Sequence, residues 1–409
     1  MTTSDSRGLR STVALAAVVQ FVVLLDFALI LPLGPDLAEP LKISTAALGL
    51  LVAVYTGAAA LGGLLAARVL DRFPRRRAML PLLIGLALAN LLGALAPSFT
   101  AMLGARTLAG LCAAPISALN LSLIADEIPS ASRGRALGVV MSANAIAAVL
   151  GVPGCLWLGE QIAWWAAFAG VNAAALLAAL VVAASARATR AQAIIRALPD
   201  APPDAPPDAP PRSPSARAQH HRAHALTFIA FAAAFALTPN LSAYVQFNLG
   251  YPRSDIPLLY MLGGCCSFVG MRLSGLAVDR RGAAAVGSLA IVGLAATVGL
   301  FLAVPTPAIA IEPAFMVLLV CLGSRNVALR TLTTRVPTPT QRGRFMALQS
   351  TAQQLGSASG VLLGMALLRD RPGGGLAGMQ ALAWCSIALL AAVPPLLWAL
   401  ERGLRAVDE

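Results

Sequence analysis

Apolar residues along this chain gather into long runs broken by short stretches of charge, proline and glycine. A run of about 20 mostly apolar residues is long enough to cross the hydrocarbon core of a bilayer as one helix. Twelve such runs are present, at 12–33, 46–69, 77–96, 99–124, 136–158 and 162–185, then at 225–246, 257–278, 284–304, 308–331, 345–368 and 378–400. Each predicts a transmembrane helix. The pattern therefore predicts an all-α membrane protein of 12 transmembrane helices in two six-helix halves, 1–186 and 225–409, joined by a cytoplasmic linker, 187–224.

The breaks carry charge unevenly. Arg7 and Arg10 precede the first run; Arg68, Asp71, Arg72, Arg75, Arg76 and Arg77 surround the second break; Arg133 and Arg135 occupy the fourth. Arg280 and Arg281 follow the eighth run, and Arg335, Arg342 and Arg344 the tenth. The alternate breaks are nearly neutral or mixed, as in Asp36, Glu39 and Lys42, or Glu160. Basic loops stay on the cytoplasmic side, so both termini are expected there. The linker holds a Pro-Asp-Ala-Pro repeat, PDAPPDAPPDAPPRSPS, which favours extended polyproline II. His220, His221 and His224 close it and read as solvated histidines of a basic tether, not as a metal site.

The two halves repeat one another. Gly275 to Gly282 (Gly-Leu-Ala-Val-Asp-Arg-Arg-Gly) echoes the arginine-rich turn around Asp71, and Leu103-Gly-Ala-Arg106 echoes Leu322-Gly-Ser-Arg325. Arg133-Gly-Arg135 matches Arg342-Gly-Arg344, although Arg106 lies 27 residues before Arg133 and Arg325 only 17 before Arg342.

Composition agrees with the runs. Hydrophobic residues make up 58% and charged residues 12% of 409, against about 25% charged in soluble domains. The net charge of +12 would suit nucleic acid, but its arginines sit in short inter-span loops, which makes it a topology signal and the lipid bilayer the implied partner. The six cysteines fall in or at the ends of apolar runs, without the loop spacing of a disulfide framework or a zinc site. The short polar N-terminus leads into a first span that reads as retained, with no signal-peptide cleavage site.

Twelve spans in two halves, the long central loop and these turns resemble the major facilitator superfamily of secondary transporters, most nearly its bacterial twelve-span drug:proton antiporter and sugar-efflux branch. Asp71, Arg72, Arg75 and Arg76 keep the charges of the family's loop motif, while Ala67 and Pro74 replace its glycines; the second copy, with Asp279, Arg280 and Arg281, keeps both as Gly275 and Gly282. Arg106 and Gly110 match the fourth-span Arg-x-x-x-Gly motif. Leu25-Asp26 and Leu31-Pro32 match the first-span motif, and Gly151, Pro153 and Gly154 are what remains of the fifth-span antiporter motif.

Asp26 stands alone in an apolar run, VVQFVVLLDFALILPL. A carboxylate in hydrocarbon is costly, so it must face the bundle interior or water, where it can exchange a proton or meet a cationic substrate, or be held by a backbone or amide donor. Arg106 cannot shed its proton and needs a partner; the resemblance implies proton coupling, and an interhelical structural bond is the alternative. The two loop motifs are expected to form charge clusters at the cytoplasmic gate, and Gly151, Pro153 and Gly154 to kink the fifth span. Candidates for lining a substrate cavity are the midspan residues Gln20, Tyr55, Asn120, Asn144, Asn240, Tyr244, Gln246, Tyr260, Gln349 and Gln353. Few acidic residues lie within spans, which favours neutral or anionic substrates or leaves Asp26 alone for cations.

No Gly-x4-Gly-Lys-Ser/Thr motif is present, so transport would draw on an ion gradient, protons being the implied coupling ion. The sequence thus reads as a secondary transporter of the bacterial inner membrane exporting a small molecule without cofactor or metal, and the resemblance implies a monomer. An importer or facilitator is the alternative, and a transport-silent sensor a more distant one. An enzyme is not expected: all three histidines lie in the linker, and no nucleophile elbow or metal-ligand pair falls in a span.

Overall fold

The computed structural model describes residues 3–408 apart from 39, 44–47, 70–72, 129–135, 137, 141, 144–145, 196–213, 304–309, 338–341 and 372–374. Helices account for nearly all of what is described. In the first half these are α1 (Thr3–Ala38), α2 (Gly49–Val69), α3 (Arg75–Ala94), α4 (Phe99–Glu127), α5 (Val152–Gln161, entered through a π-helical turn at Ala147–Gly151) and α6 (Trp164–Ile195). In the second they are α7 (Pro214–Ala243, running on as a π-helical turn, Tyr244–Asn248), α8 (Ile256–Arg281), α9 (Ala283–Val298), α10 (Ile311–Arg335), α11 (Arg342–Leu367), α12 (Met379–Ala391) and α13 (Val393–Asp408). Between α11 and α12 a two-residue antiparallel ladder pairs Arg369 with Ala377 and Asp370 with Leu376.

Among the described residues, 10 helices are long and apolar enough to cross a membrane. Of the other two predicted spans, the fifth lies partly outside the described residues, and the eleventh forms α11, helical over 26 residues but rich in Gln, Ser and Thr. Outward-facing leucines such as Leu65, Leu180, Leu273 and Leu289 are 60–69% exposed, surface that only lipid can cover without cost.

Local chemistry sets several helix ends. Ser98 caps α4 by accepting from the Ala101 amide at 3.3 Å. Gly282, at φ +85°, turns the chain between α8 and α9. Some helices outrun the apolar runs that predicted them. The linker is shorter than expected, since α6 continues to Ile195 and α7 begins at Pro214. His220, His221 and His224 therefore belong to a helix, not to a tether; His224 Nδ1 lies 2.7 Å from Gln349 Oε1, and the His220 and His224 rings pack on Phe345. The Pro-Asp-Ala-Pro repeat lies outside the described residues.

The chain forms two compact units, Met1–Leu29 with Ala58–Pro206, and Ile30–Gly57 with Pro207–Glu409. In the first, close helix approach rests on small residues: a Cβ at Gly62 of α2 would stand 2.5 Å from the Leu111 carbonyl oxygen of α4, and one at Gly85 of α3 2.8 Å from Cys112 Sγ. In the second, Gly356, Gly360 and Gly364 line the face of α11 that meets α7, where added Cβ atoms would fall 2.4, 2.1 and 3.0 Å from the carbonyl oxygens of Phe228, Ala232 and Ala236. Glycine at i, i+4 and i+8 keeps one face bare, so these backbones touch as closely as membrane helices do.

Candidate functional site

Three helices of the first unit bring a charged cluster into its interior. Asp26 of α1, Asn90 of α3 and Arg106 of α4 are 1–2% exposed. Arg106 donates from Nη1 to Asp26 Oδ1 at 3.0 Å and from Nη2 to the Asp26 backbone carbonyl at 3.2 Å. The Asn90 amide donates to the same Oδ1 at 2.9 Å and to the Leu86 carbonyl at 3.0 Å. Asp26 and Arg106, singled out separately in the sequence, are thus partners across 80 residues, and the sequence reading missed Asn90. A buried ion pair depends on such added bonds, because both charges have given up water. Among the described residues no group of His, Cys, Asp or Glu is placed to hold a metal ion.

A second charged network ties the ends of α1, α3, α4 and α6. Arg76 holds Glu127 through Nε at 3.1 Å and Nη2 at 2.5 Å, reaches Thr12 Oγ1 at 2.8 Å, and donates to the Ser185 carbonyl at 3.4 Å. Arg75 pairs with Asp126 at 3.1 Å. Arg75 and Arg76 thus join a charge cluster, with Asp126 and Glu127 as acidic partners the sequence reading overlooked. Asp71 and Arg72 lie outside the described residues. Of the second motif copy, Asp279, Arg280 and Arg281 stand exposed at the end of α8. Beside them Glu401 of α13 accepts from the Ala284 amide at 2.7 Å and pairs with Arg405 at 2.8 Å, capping the start of α9.

The π-helical turn ends at Gly151, where a Cβ would lie 3.0 Å from Leu25 Cδ1 and 3.1 Å from Phe21 Cζ. The fifth helix therefore passes close to α1 one residue from Asp26, with Pro153 just inside the following α-helix and Gly154 exposed. A π turn followed by proline is a recognised bending point.

Several polar candidates make hydrogen bonds, some between helices and some within one. Asn120 is fully buried and donates to the Ala16 carbonyl at 2.9 Å. Asn240 turns back to Ala236 on its own helix, Gln246 donates to Ser242 at 3.0 Å, and Gln349 joins His224 to Thr227. Tyr244 packs edge-on to Phe301 and Tyr260 to Phe315. Tyr55 is buried in α2, Gln20 and Gln353 are half-buried, and Asn144 lies outside the described residues. Arg325, the repeat counterpart of Arg106, is 2% exposed and donates to the Ala230 carbonyl at 2.6 Å and to Asn326 Oδ1 at 3.0 Å, with its guanidinium 5.3 Å from the Phe231 ring. Within the second unit Arg253 grips Asp36 in a two-pronged pair, at 2.8 and 2.5 Å, a pairing 217 residues apart that no local pattern announces.

Apolar helices long enough to cross a membrane, gathered around a buried Asp–Arg pair, define a polytopic membrane protein. The model of the Major Facilitator Superfamily matches residues 16–361 and, separately, 223–405, and this chain belongs to that family. It is similar to the chloramphenicol resistance protein of Streptomyces lividans, 30% identical over 377 residues, covering 88% of this chain and 90% of that protein. It is also similar, over 36% of its length, to the inner membrane transport protein YdhP of Escherichia coli K12, 28% identical over 39% of that protein. Among solved structures the D-xylose–proton symporter superposes with a TM-score of 0.75 at 17% identity, over 95% of this chain and 97% of that one. A bacterial homologue of the lysosomal transporter Spinster does so with a TM-score of 0.67 at 17% identity, over 99% and 98%. These two likenesses concern the fold.

Proposed function

We propose that the protein is a proton-driven exporter of a small uncharged molecule, with chloramphenicol the first substrate to try. The observation that carries this reading is the buried Asp26–Arg106 pair. A proton arriving at Asp26 converts the carboxylate to an acid and removes the negative member of the pair. Arg106 keeps its charge, so the interior gains an unbalanced cation, which is costly where water is scarce. A conformation in which Arg106 reaches water or another acceptor then becomes the favoured one, and protonation shifts the population between access states. Loss of the proton on the other side restores the pair. Export as the direction, and chloramphenicol as the cargo, are suggested by the Streptomyces relative that spans most of the chain. The scarcity of carboxylates within the spans also suits an uncharged cargo.

The test is proton movement in everted membrane vesicles under an imposed pH gradient. Added chloramphenicol is expected to dissipate the gradient with the intact protein and not with Asp26→Asn, which should still reach the membrane at normal levels. Equal dissipation by the variant would take Asp26 out of the mechanism. Accumulation of chloramphenicol in the opposite direction would make the protein an importer.

A further inference from the structure

We infer that Asn90 is a positioning residue for the proton-carrying carboxylate, its side-chain amide serving Asp26 as donor when the carboxylate is charged and as both donor and acceptor when it is protonated. This rests on the reading of Asp26 as the proton site. Both amide hydrogens of Asn90 are committed, one to Asp26 Oδ1 and one to the Leu86 carbonyl. Its own oxygen, Oδ1, is buried without a partner, and so is Asp26 Oδ2. Two bare acceptor oxygens on hydrogen-bonded neighbours, in a site 1% exposed, are costly, and such groups in a folded protein call for a cause. Protonation of Asp26 supplies what is missing. The hydrogen adds to Asp26 Oδ2 as an O–H donor and Asn90 Oδ1 accepts it, while Asn90 Nδ2 keeps its bonds to Asp26 Oδ1 and the Leu86 carbonyl. Asparagine is suited to the place because one planar group carries both a donor and an acceptor. The other groups facing Asp26 are less adaptable: the Arg106 guanidinium only donates, the Cys112 thiol of α4 is a weak donor within electrostatic reach, and Gly151 brings only backbone against Leu25.

Infrared difference spectroscopy between acidic and alkaline pH, on the intact purified protein in lipid, reads the protonated carboxyl directly and needs no substrate. A carboxylic-acid C=O band that disappears in Asp26→Asn is expected. In Asn90→Leu, and in the smaller Asn90→Ala should leucine not be accommodated, the band should move to higher frequency, as an acid that has lost a hydrogen-bond partner does. In Asn90→Gln, which keeps the amide, it should return toward its original place. An Asp26 band unmoved by Leu or Ala would overturn the role of Asn90 and leave Asp26 as the proton site. A difference spectrum identical in the intact protein and Asp26→Asn would overturn the reading of Asp26 itself.

Discussion

Asp26 and Arg106 hold each other, but their losses are not equivalent. A lone buried carboxyl can take up a proton and become neutral, whereas a guanidinium cannot lose one. Asp26→Leu therefore strands a permanent cation at 2% exposure, while Arg106→Met leaves an acid that neutralises itself and still has Asn90 beside it. Removing one partner of a buried pair costs about 3–5 kcal/mol. Asp26→Leu should approach that cost and Arg106→Met fall well short of it. The double variant should recover most of the Asp26→Leu loss, because replacing both charges with apolar groups removes the stranded ion. Thermal unfolding in detergent, followed by tryptophan fluorescence, checks the order; equal losses in the two single variants would refute it. Both residues were legible in the sequence because a charge inside an apolar run has a cost that must be explained. Their pairing was not, since nothing local links positions 80 residues apart. Asn90 was missed although other midspan amides were singled out: an uncharged amide carries no cost that marks one position over another, and only its bond to Asp26 distinguishes it. Asp126 and Glu127 were hidden differently, lying just past an apolar run where acidic residues look like ordinary helix-end polarity.

At the level of elements the sequence predicted best where hydropathy alone decides, and worst where packing or charge extends a helix beyond the hydrocarbon. The runs located the helices that are described. The ends of α4, α6 and α7 overran those runs because arginine and glutamate are good helix formers once a helix is nucleated, and Arg76 then ties the end of α4 into a network. The packing of α11 on α7 is an element-scale property with an element-scale test. A Cβ at Gly360 would fall 2.1 Å from the Ala232 carbonyl oxygen, so Gly360→Val must push two helices apart, whereas a Cβ at Gly104 or Gly154 meets nothing within 4 Å. Overpacking of a fitted core costs about 1–3 kcal/mol, occasionally more. Gly360→Val is expected to lower the yield of monodisperse protein sharply and Gly104→Ala to leave it unchanged, read by size-exclusion chromatography in detergent. Normal behaviour of Gly360→Val would mean that this helix contact is not needed for folding. α11 also shows why its mean hydropathy was a weak guide: Gln349, Thr351 and Ser357 are satisfied by Thr227 and His224 of α7 or by carbonyls of α11 itself, so the helix stays helical without being strongly apolar.

For the molecule as a whole, orientation in the membrane is written in charge, not in shape. Neither the helices nor their packing distinguishes one side of a bilayer from the other, but the arginines do. In the first unit Arg75 and Arg76 stand at the start of α3, and in the second the exposed Arg280 and Arg281 stand at the end of α8. The turn between α5 and α6 of the first unit, an odd number of spans beyond the start of α3, holds Glu160 and Gln161 and carries no basic residue. The positive-inside rule counts Lys and Arg within short loops, as these are, so the arginine-bearing ends and both termini should face the cytoplasm. Single cysteines test this in a background whose six native cysteines are replaced by alanine. Residues 161 and 281 are both exposed, so neither substitution disturbs a packed side chain. A membrane-impermeant maleimide applied to intact cells should label Gln161→Cys, and should label Arg281→Cys only after the membrane is opened. The opposite pattern would invert the protein in the bilayer. It would leave the direction of the proposed antiport unchanged, because the sign of the proton gradient and the coupling, not the protein's orientation, decide which way the cargo moves.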